Sequence, residues 1–430
     1  MINDFFGFLN DSPVNYLACH TVAQRLEAAG FKRIDPSEPF GSDAGSKFYV
    51  TKNDSSIYAF RLGQKPVSES GMHIICAHCD SPTFRIKPKA ETVSKGVLKL
   101  GIETYGGVIL STWFDRPLSV AGRVILKNGA DIMHPKTKLV HIRRPLLTIP
   151  NLCIHFNRQV NDGVKISVQK DMQPICALIA QNLEANDHLI SCICDELSIN
   201  AADILDFDLF LYDTTAPCTF GLNNEFISAG RLDDLEMVYA GLRAITDTAS
   251  QETPYTRVLA IFDNEETGSH TKQGAASPFL AGMIQRINRM QGGSEDDYFR
   301  AIEQSFMVSA DNAHAFHPNY GEKYDPSCCP VLGGGPAIKY NAAQKYASDA
   351  MSAAVFAGLC DAAGVPCQKF VNHSDVAGGS TLGNILTSSL PLNGVDMGCA
   401  ILAMHSVRET GSVADLEYTA RVFEQFYKMN

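Results

Sequence analysis

Two glutamates stand side by side at Glu265-Glu266, just beyond the apolar run Arg257-Val-Leu-Ala-Ile-Phe262. If that run is a buried strand, two carboxylates at its end repel each other and lose hydration. A metal ion relieves the conflict by taking one carboxylate as ligand and leaving the other as a base. Further candidate ligands come after other apolar runs. His78 and Asp80 follow Met72–Ala77, Asp311 follows Ser305–Ala310, and His405 follows Cys399–Met404. Asp233-Asp234, ahead of Leu235, can join them from a loop. Imidazole nitrogen with carboxylate oxygen suits zinc, and also manganese or cobalt. Two metals roughly 3.5–4 Å apart can share a bridging carboxylate and a bridging water. Asp80 is spaced to orient the His78 ring. Each residue alone has a plainer reading. A histidine after a strand is usually hydrogen-bonded and structural, and acids before a helix complement its dipole. Asp311 could simply cap the next turn of chain. Their joint recurrence at strand ends is the argument for a metal hydrolase.

The elements that must position these groups read as an α/β fold. Ser12-Pro13, the stretch to Ala29 and the Gly30 stop predict a first helix. Helices are expected over 235–246, 279–290, 348–363 and 414–428, and strands over 72–77, 257–262, 305–310 and 399–404. Such alternation predicts a mixed sheet flanked by helices, with ligands gathered outside the carboxyl ends of its strands. Residues 83–215 have a different texture. Gly107–Trp113 and Leu118–Leu126 read as strands and turns, with a helix near Pro174 to Glu184. This is a strand-rich insertion, so residues 1–82 and 216–430 form one interrupted domain. Gly333-Gly-Gly335 lacks the Lys-Ser/Thr of a phosphate loop and reads as a turn.

Composition excludes several classes. A formal net charge of −11 with no basic block argues against nucleic acid and anionic membranes. No apolar run reaches the roughly 18 residues of a membrane span, and the acidic N-terminus is unlike a secretory leader. Thirteen scattered cysteines, an odd number, point to reduced thiols in the cytoplasm. Cys76-Ala-His-Cys79 has no second pair to complete a structural zinc site.

Local words then become recognisable. Ala77-His-Cys-Asp-Ser-Pro82, Glu103-Thr-Tyr-Gly-Gly107, Thr112-Trp-Phe-Asp-Arg116, Arg231-Leu-Asp-Asp-Leu235, Asp263-Asn-Glu-Glu-Thr-Gly-Ser269, Ser309-Ala-Asp-Asn-Ala-His-Ala-Phe-His-Pro-Asn-Tyr320 and Ala403-Met-His-Ser-Val-Arg-Glu409 stand in that order. Together the chain resembles the aspartyl aminopeptidase family of zinc metallopeptidases, from about residue 10 to the C-terminus. The resemblance implies a catalytic domain holding two zinc ions, interrupted by a dimerisation domain, in a tetrahedral homododecamer acting on peptides. It implies that Asp233 bridges the metals, with Glu266 and His405 completing one site and His78 and Asp311 the other. Glu265 would be the general base toward a metal-bridging water, and His155 would reach a neighbouring subunit's active site.

The same resemblance matches Lys339 to a lysine that meets an acidic first residue, although spacing alone favours a surface lysine. His314 and His317 would line or support the pocket. Cys79 replaces a common Thr, and Asn372-His-Ser-Asp-Val-Ala-Gly-Gly-Ser-Thr-Leu-Gly383 departs from the usual Asp-x-Pro-Cys-Gly-x-Thr-Ile-Gly. A preference for neutral first residues therefore stays open beside the acidic one. Rival readings are a related two-metal carboxypeptidase or deacylase, and a non-catalytic shell protein.

Overall fold

The computed structural model describes residues 1–40, 45–179 and 187–429. The chain divides into two compact units. One holds Met1–Asp80, Pro217–Met404 and Glu409–Asn430, and the other holds Ser81–Ala216 with His405–Arg408.

The first unit is built on a nine-stranded mixed sheet. Its strands are β1 (Lys32–Arg33), β2 (Lys47–Lys52), β3 (Ser56–Arg61), β4 (Met72–His78), β5 (Thr256–Phe262), β6 (Phe306–Ala310), β7 (Ala337–Lys339), β8 (Gln368–Phe370) and β9 (Asn393–Gly398), in the spatial order β1-β2-β3-β5-β4-β6-β9-β7-β8. The centre, β5-β4-β6-β9, is parallel throughout. Such strands are buried on both faces and read as continuous apolar runs. In β4, Ile75 and Ala77 join one core while Met72, Ile74 and Cys76 join the other. The first core is closed by α1 (Ile2–Asp11), α2 (Asn15–Ala28), α3 (Leu232–Asp247), α5 (Ala350–Ala363) and α6 (Val413–Lys428). The second is closed chiefly by α4 (Phe279–Met290), through Leu280, Ile284 and Ile287. Helices thus flank a mixed sheet on both faces.

Several elements differ from expectation. Helix α1 precedes the helix expected as first, because Phe5, Phe8 and Leu9 share one face and are buried. The strand expected over 399–404 is only Ala400–Ile401, paired with Ala313–His314. The sheet strand is β9 instead, where Gly398 lets the chain pass against the Asp311 carbonyl, with no room for a Cβ. Gly107–Trp113 holds a short 3-10 turn, Leu110–Trp113, rather than a strand. In place of the start of a helix near Pro174, Ile175–Leu178 is a strand pairing with Val97–Lys99. The part of that expected helix in 180–184 lies outside the described residues.

The second unit is a six-stranded antiparallel sheet. Its order is His134–His141, Leu118–Asp131, Ile204–Asp213, Thr83–Ser94, Val97–Tyr105 and Ile175–Leu178. Phe84, Trp113, Val120 and Leu209 lie in its core. All thirteen cysteines are free thiols. Among the described residues no helix is long and apolar enough to cross a membrane.

One buried group in the first unit makes stability depend on pH. His73 in β4 is stacked between Tyr255 (4.2 Å) and Phe426 (4.6 Å), with Nδ1 2.9 Å from the Phe426 carbonyl oxygen. Burial lowers its imidazole to about 4, against the pull of that carbonyl. The unfolded chain takes up the proton first as pH falls below about 6.5, so stability is lost from there toward pH 4. Urea unfolding at pH 7 and pH 4.5 should attribute about 2–3 kcal/mol of the acid-induced loss to this group. That portion should vanish in His73→Gln; an equal loss in the variant would exonerate the ring.

Candidate metal centre

The central strands bring their ends to one level. Phe262 lies opposite His78, and Ser309 lies opposite Cys76, so Asp311 is level with His78 on the other side. Neighbouring strands are about 4.8 Å apart, so groups following β5, β4 and β6 face one another across two such steps. Asp233 and Asp234 arrive from the start of α3, which shares the core of Ile75 and Ala77 through Leu235 and Val238. The Asp233–Asp234 peptide is cis.

His78, Asp233, Asp234 and Asp311 each offer a ligand atom within 4.8 Å of the others, and all four are buried. His78, Glu265 and Glu266 form a second such group. His78 Nε2 lies 3.4 Å from Asp233 Oδ1 and 3.9 Å from Asp311 Oδ1, longer than regular hydrogen bonds.

The supports of these groups are specific. His78 Nδ1 is 3.0 Å from the Asp80 main-chain oxygen and 3.5 Å from its Oδ1. The Asp80 carboxylate accepts the backbone N–H of Glu265 and of Glu266, each at 3.1 Å. Asp80 therefore fixes the His78 ring mainly through its carbonyl, while its side chain fixes the turn that carries both glutamates. Asp234 Oδ2 accepts the His78 N–H at 3.0 Å, and Glu409 Oε2 accepts that of Asp233 at 3.2 Å. Lys339 Nζ lies 3.3 Å from Asp311 Oδ2.

The electrostatics fit a cation. Burial pushes the Glu265 carboxyl up to about 8, with Asp311, Asp80 and Asp233 adding to the rise and His78 opposing it. Burial likewise raises Asp234 and Glu266 well above the carboxylate range. Burial opposes a charge on His78, yet Asp234, Asp233 and Asp80 outweigh it and raise the imidazole. The same negative field would attract a divalent ion, and one imidazole among carboxylates is a zinc, manganese or cobalt donor set.

The remaining expected residues are carried by other parts of the chain. His405 follows no strand of the main sheet; it opens His405–Arg408, counted with the second unit, where its Nδ1 lies 3.1 Å from the Gly107 carbonyl oxygen. His155 is exposed in an irregular stretch of that unit. His314 stacks edge-on to Phe370 at 5.8 Å, and His317 Nδ1 accepts the Asn319 N–H. Neither His314 nor His317 joins a ligand group among the described residues. Lys339 is no surface lysine: it lies on β7, only 3% exposed. Sequence reasoning left Asp234 as a possible loop member and gave Glu409 no role. Both act through backbone contacts distant in sequence, 156 and 176 residues away.

Residues 8–427 match the family model described as aminopeptidase I zinc metalloprotease, M18. A relative in Clostridium novyi, described as a probable M18 family aminopeptidase 2, is 49% identical over 428 residues, covering 99% of this chain and 98% of its own. The solved Ape4 and Nbr1 complex contains a chain 36% identical, with a TM-score of 0.94 over 99% of this chain and 85% of that one. The S. cerevisiae mApe1 dodecamer matches at 25% identity and TM-score 0.86, covering 99% of this chain and 96% of that one.

Binding to this cluster should stabilise the fold, because an ion that binds only the folded chain shifts unfolding by mass action. Cobalt or zinc at a hundredfold excess over Kd should add about 2.7 kcal/mol to chelator-treated protein. Calorimetry should show a raised Tm, and Asp233→Ala should remove most of the rise. An undiminished rise in that variant would place the ion elsewhere.

Proposed function

The chain belongs to the M18 family, the aminopeptidase I zinc metalloproteases, and from that premise we propose that it is a two-zinc aminopeptidase removing N-terminal residues from peptides, with Asp or Glu preferred. The observation that carries this reading is the buried cluster of His78, Asp233, Asp234 and Asp311 at the ends of parallel strands. Asp233 would bridge the two ions, His78 and Asp311 would complete one position, and Glu266 and His405 the other. With Nδ1 on the Gly107 carbonyl, the ligand atom of His405 would be Nε2. Zinc, when bound, supplies water acidified toward neutral pH and a polarised scissile carbonyl.

The chain's own groups do the rest. Glu265 is the general base: it takes the proton of the attacking water and returns it to the leaving amine. Asp80 positions it by holding the Glu265 and Glu266 N–H groups while its carbonyl holds His78. Lys339 would meet an acidic first side chain, with His314 and His317 lining or supporting the pocket.

His155 would act in a neighbouring subunit. Its stretch exposes Leu152, Ile154 and Phe156, the last 80% accessible, which is costly unless another surface covers them. Residues 83–215 would then be the dimerisation domain, within a homododecamer of tetrahedral arrangement. The free thiols accord with a cytoplasmic protein.

Rates across X-peptides with X as Asp, Glu, Leu and Lys test activity and specificity together. Free amines should be cleaved and N-acetylated peptides spared, with Asp and Glu fastest. A Leu optimum would assign the divergent 372–383 stretch to a neutral pocket, and cleavage of acetylated peptides would favour a deacylase. Glu265→Gln should keep its metal and lose about 10²–10⁴-fold in kcat; metal-loaded protein without any hydrolysis would make the wild-type chain a shell protein.

Mixing subunits tests the contribution of His155. Oligomers combining Glu265→Gln with His155→Ala should regain activity that neither parent shows. Verified mixed oligomers that stay inactive would restrict the site to one chain.

A further inference from the structure

Beneath the cluster lies a polar pair that the chemistry above does not use. Glu236 sits one turn beyond Asp233 on α3, and Asn312 directly follows Asp311; they are 0% and 2% exposed. Asn312 Nδ2 donates to Glu236 Oε2 at 2.9 Å and to the Cys399 carbonyl at 3.2 Å. The amide therefore joins the helix carrying one proposed ligand to the loop carrying another and to the chain leaving β9. The backbone beside it is held too, Asp311 N–H donating to the Met397 carbonyl at 2.9 Å and Ala313 N–H to that of Cys399 at 2.7 Å.

A carboxyl buried in an apolar core is costly, and its burial is offset only by specific bonds. A hydrophobic residue would fill this space at lower cost, so stability alone does not account for the pair. What the pair adds is direction: a bond between two side chains at fixed backbone positions sets the separation of α3 and the loop after β6. Burial raises the Glu236 carboxyl to about 8, the Asn312 bond opposing that rise. An acceptor oxygen faces the amide in either protonation state.

We infer that Glu236 and Asn312 are positioning residues, a buried strut that sets the spacing of Asp233 and Asp311 for one metal ion. The inference rests on the two-metal reading and deepens it. Outer partners of this kind govern metal affinity without touching the ion, and losing one weakens binding by about 10–100-fold.

Cobalt titration of the full chain, followed by visible absorption and by competition with a chelator, tests the strut. Wild-type protein should take up cobalt in two phases. Glu236→Leu and Asn312→Leu should each weaken about 10–100-fold the phase that depends on both Asp233 and Asp311, and weaken less the phase that shares only Asp233. Glu236→Gln, which keeps an acceptor for Asn312, should bind as wild type does. The double variant Glu236→Leu/Asn312→Leu leaves no buried partner unsatisfied, so its Tm should recover relative to either single change. Its cobalt affinity should stay low, which a merely structural role would not produce. Should Glu236→Leu not fold, Asn312→Ser breaks the same bond with less change in volume. Wild-type affinity in Asn312→Ser, or affinity that recovers together with Tm in the double variant, would overturn the strut. Failure of wild-type protein to bind cobalt would instead overturn the metal reading itself.

Discussion

Mutual repulsion among carboxylates crowded around His78 is the constraint on which the rest of this architecture turns. Two unit charges 4 Å apart interact with about 4 kcal/mol at an effective dielectric near 20. Asp80, Asp233, Asp234, Glu265, Glu266 and Asp311 all contribute to that crowding. The chain contains the repulsion by giving the acids fixed partners. Asp80 rests on two backbone amides, Asp234 on the amide of His78, and Asp311 on the buried ammonium of Lys339. The uncompensated remainder is negative potential aimed at a small volume, the condition under which a divalent cation becomes part of the fold.

That arrangement needs a rigid frame, since ligand positions must hold to within roughly half an ångström. Strands β4, β5 and β6 supply it, being packed on both faces and paired in parallel. The loops beyond them are short, so His78, Glu265, Glu266 and Asp311 lie at or within a few residues of a fixed strand end. The second unit follows another logic. Its antiparallel sheet closes one core of its own and leaves a stretch around Phe156 in solvent.

Much of this was legible in the sequence for a local reason. Strands 72–78, 256–262 and 306–310 are uninterrupted apolar runs, and His78, Glu265, Glu266 and Asp311 stand at or just past their ends. Strand β9 escaped notice because Gly394, Asp396 and Gly398 break its apolar pattern. The glycines answer to close neighbours and Asp396 binds Thr381, facts visible only in three dimensions. Ile175–Leu178 is too short to distinguish from a helical turn by periodicity, and only pairing with Val97–Lys99 decides it. The burial of Lys339 and the contacts of Glu409 depend on partners far along the chain, which spacing cannot reveal. The assignment of single roles came from resemblance, not from pattern.

The alignment of Phe262 with His78 has a consequence beyond geometry. The two strands are separated in sequence by residues 79–255, which include the whole inserted segment. A one-residue slip in their pairing would turn every side chain of one strand to the opposite face. Contacts between such distant segments also form late, after the intervening chain is in place. The level at which His78 meets the turn carrying Glu265 and Glu266 is therefore set only once the whole inserted segment has been made and the two strands have paired.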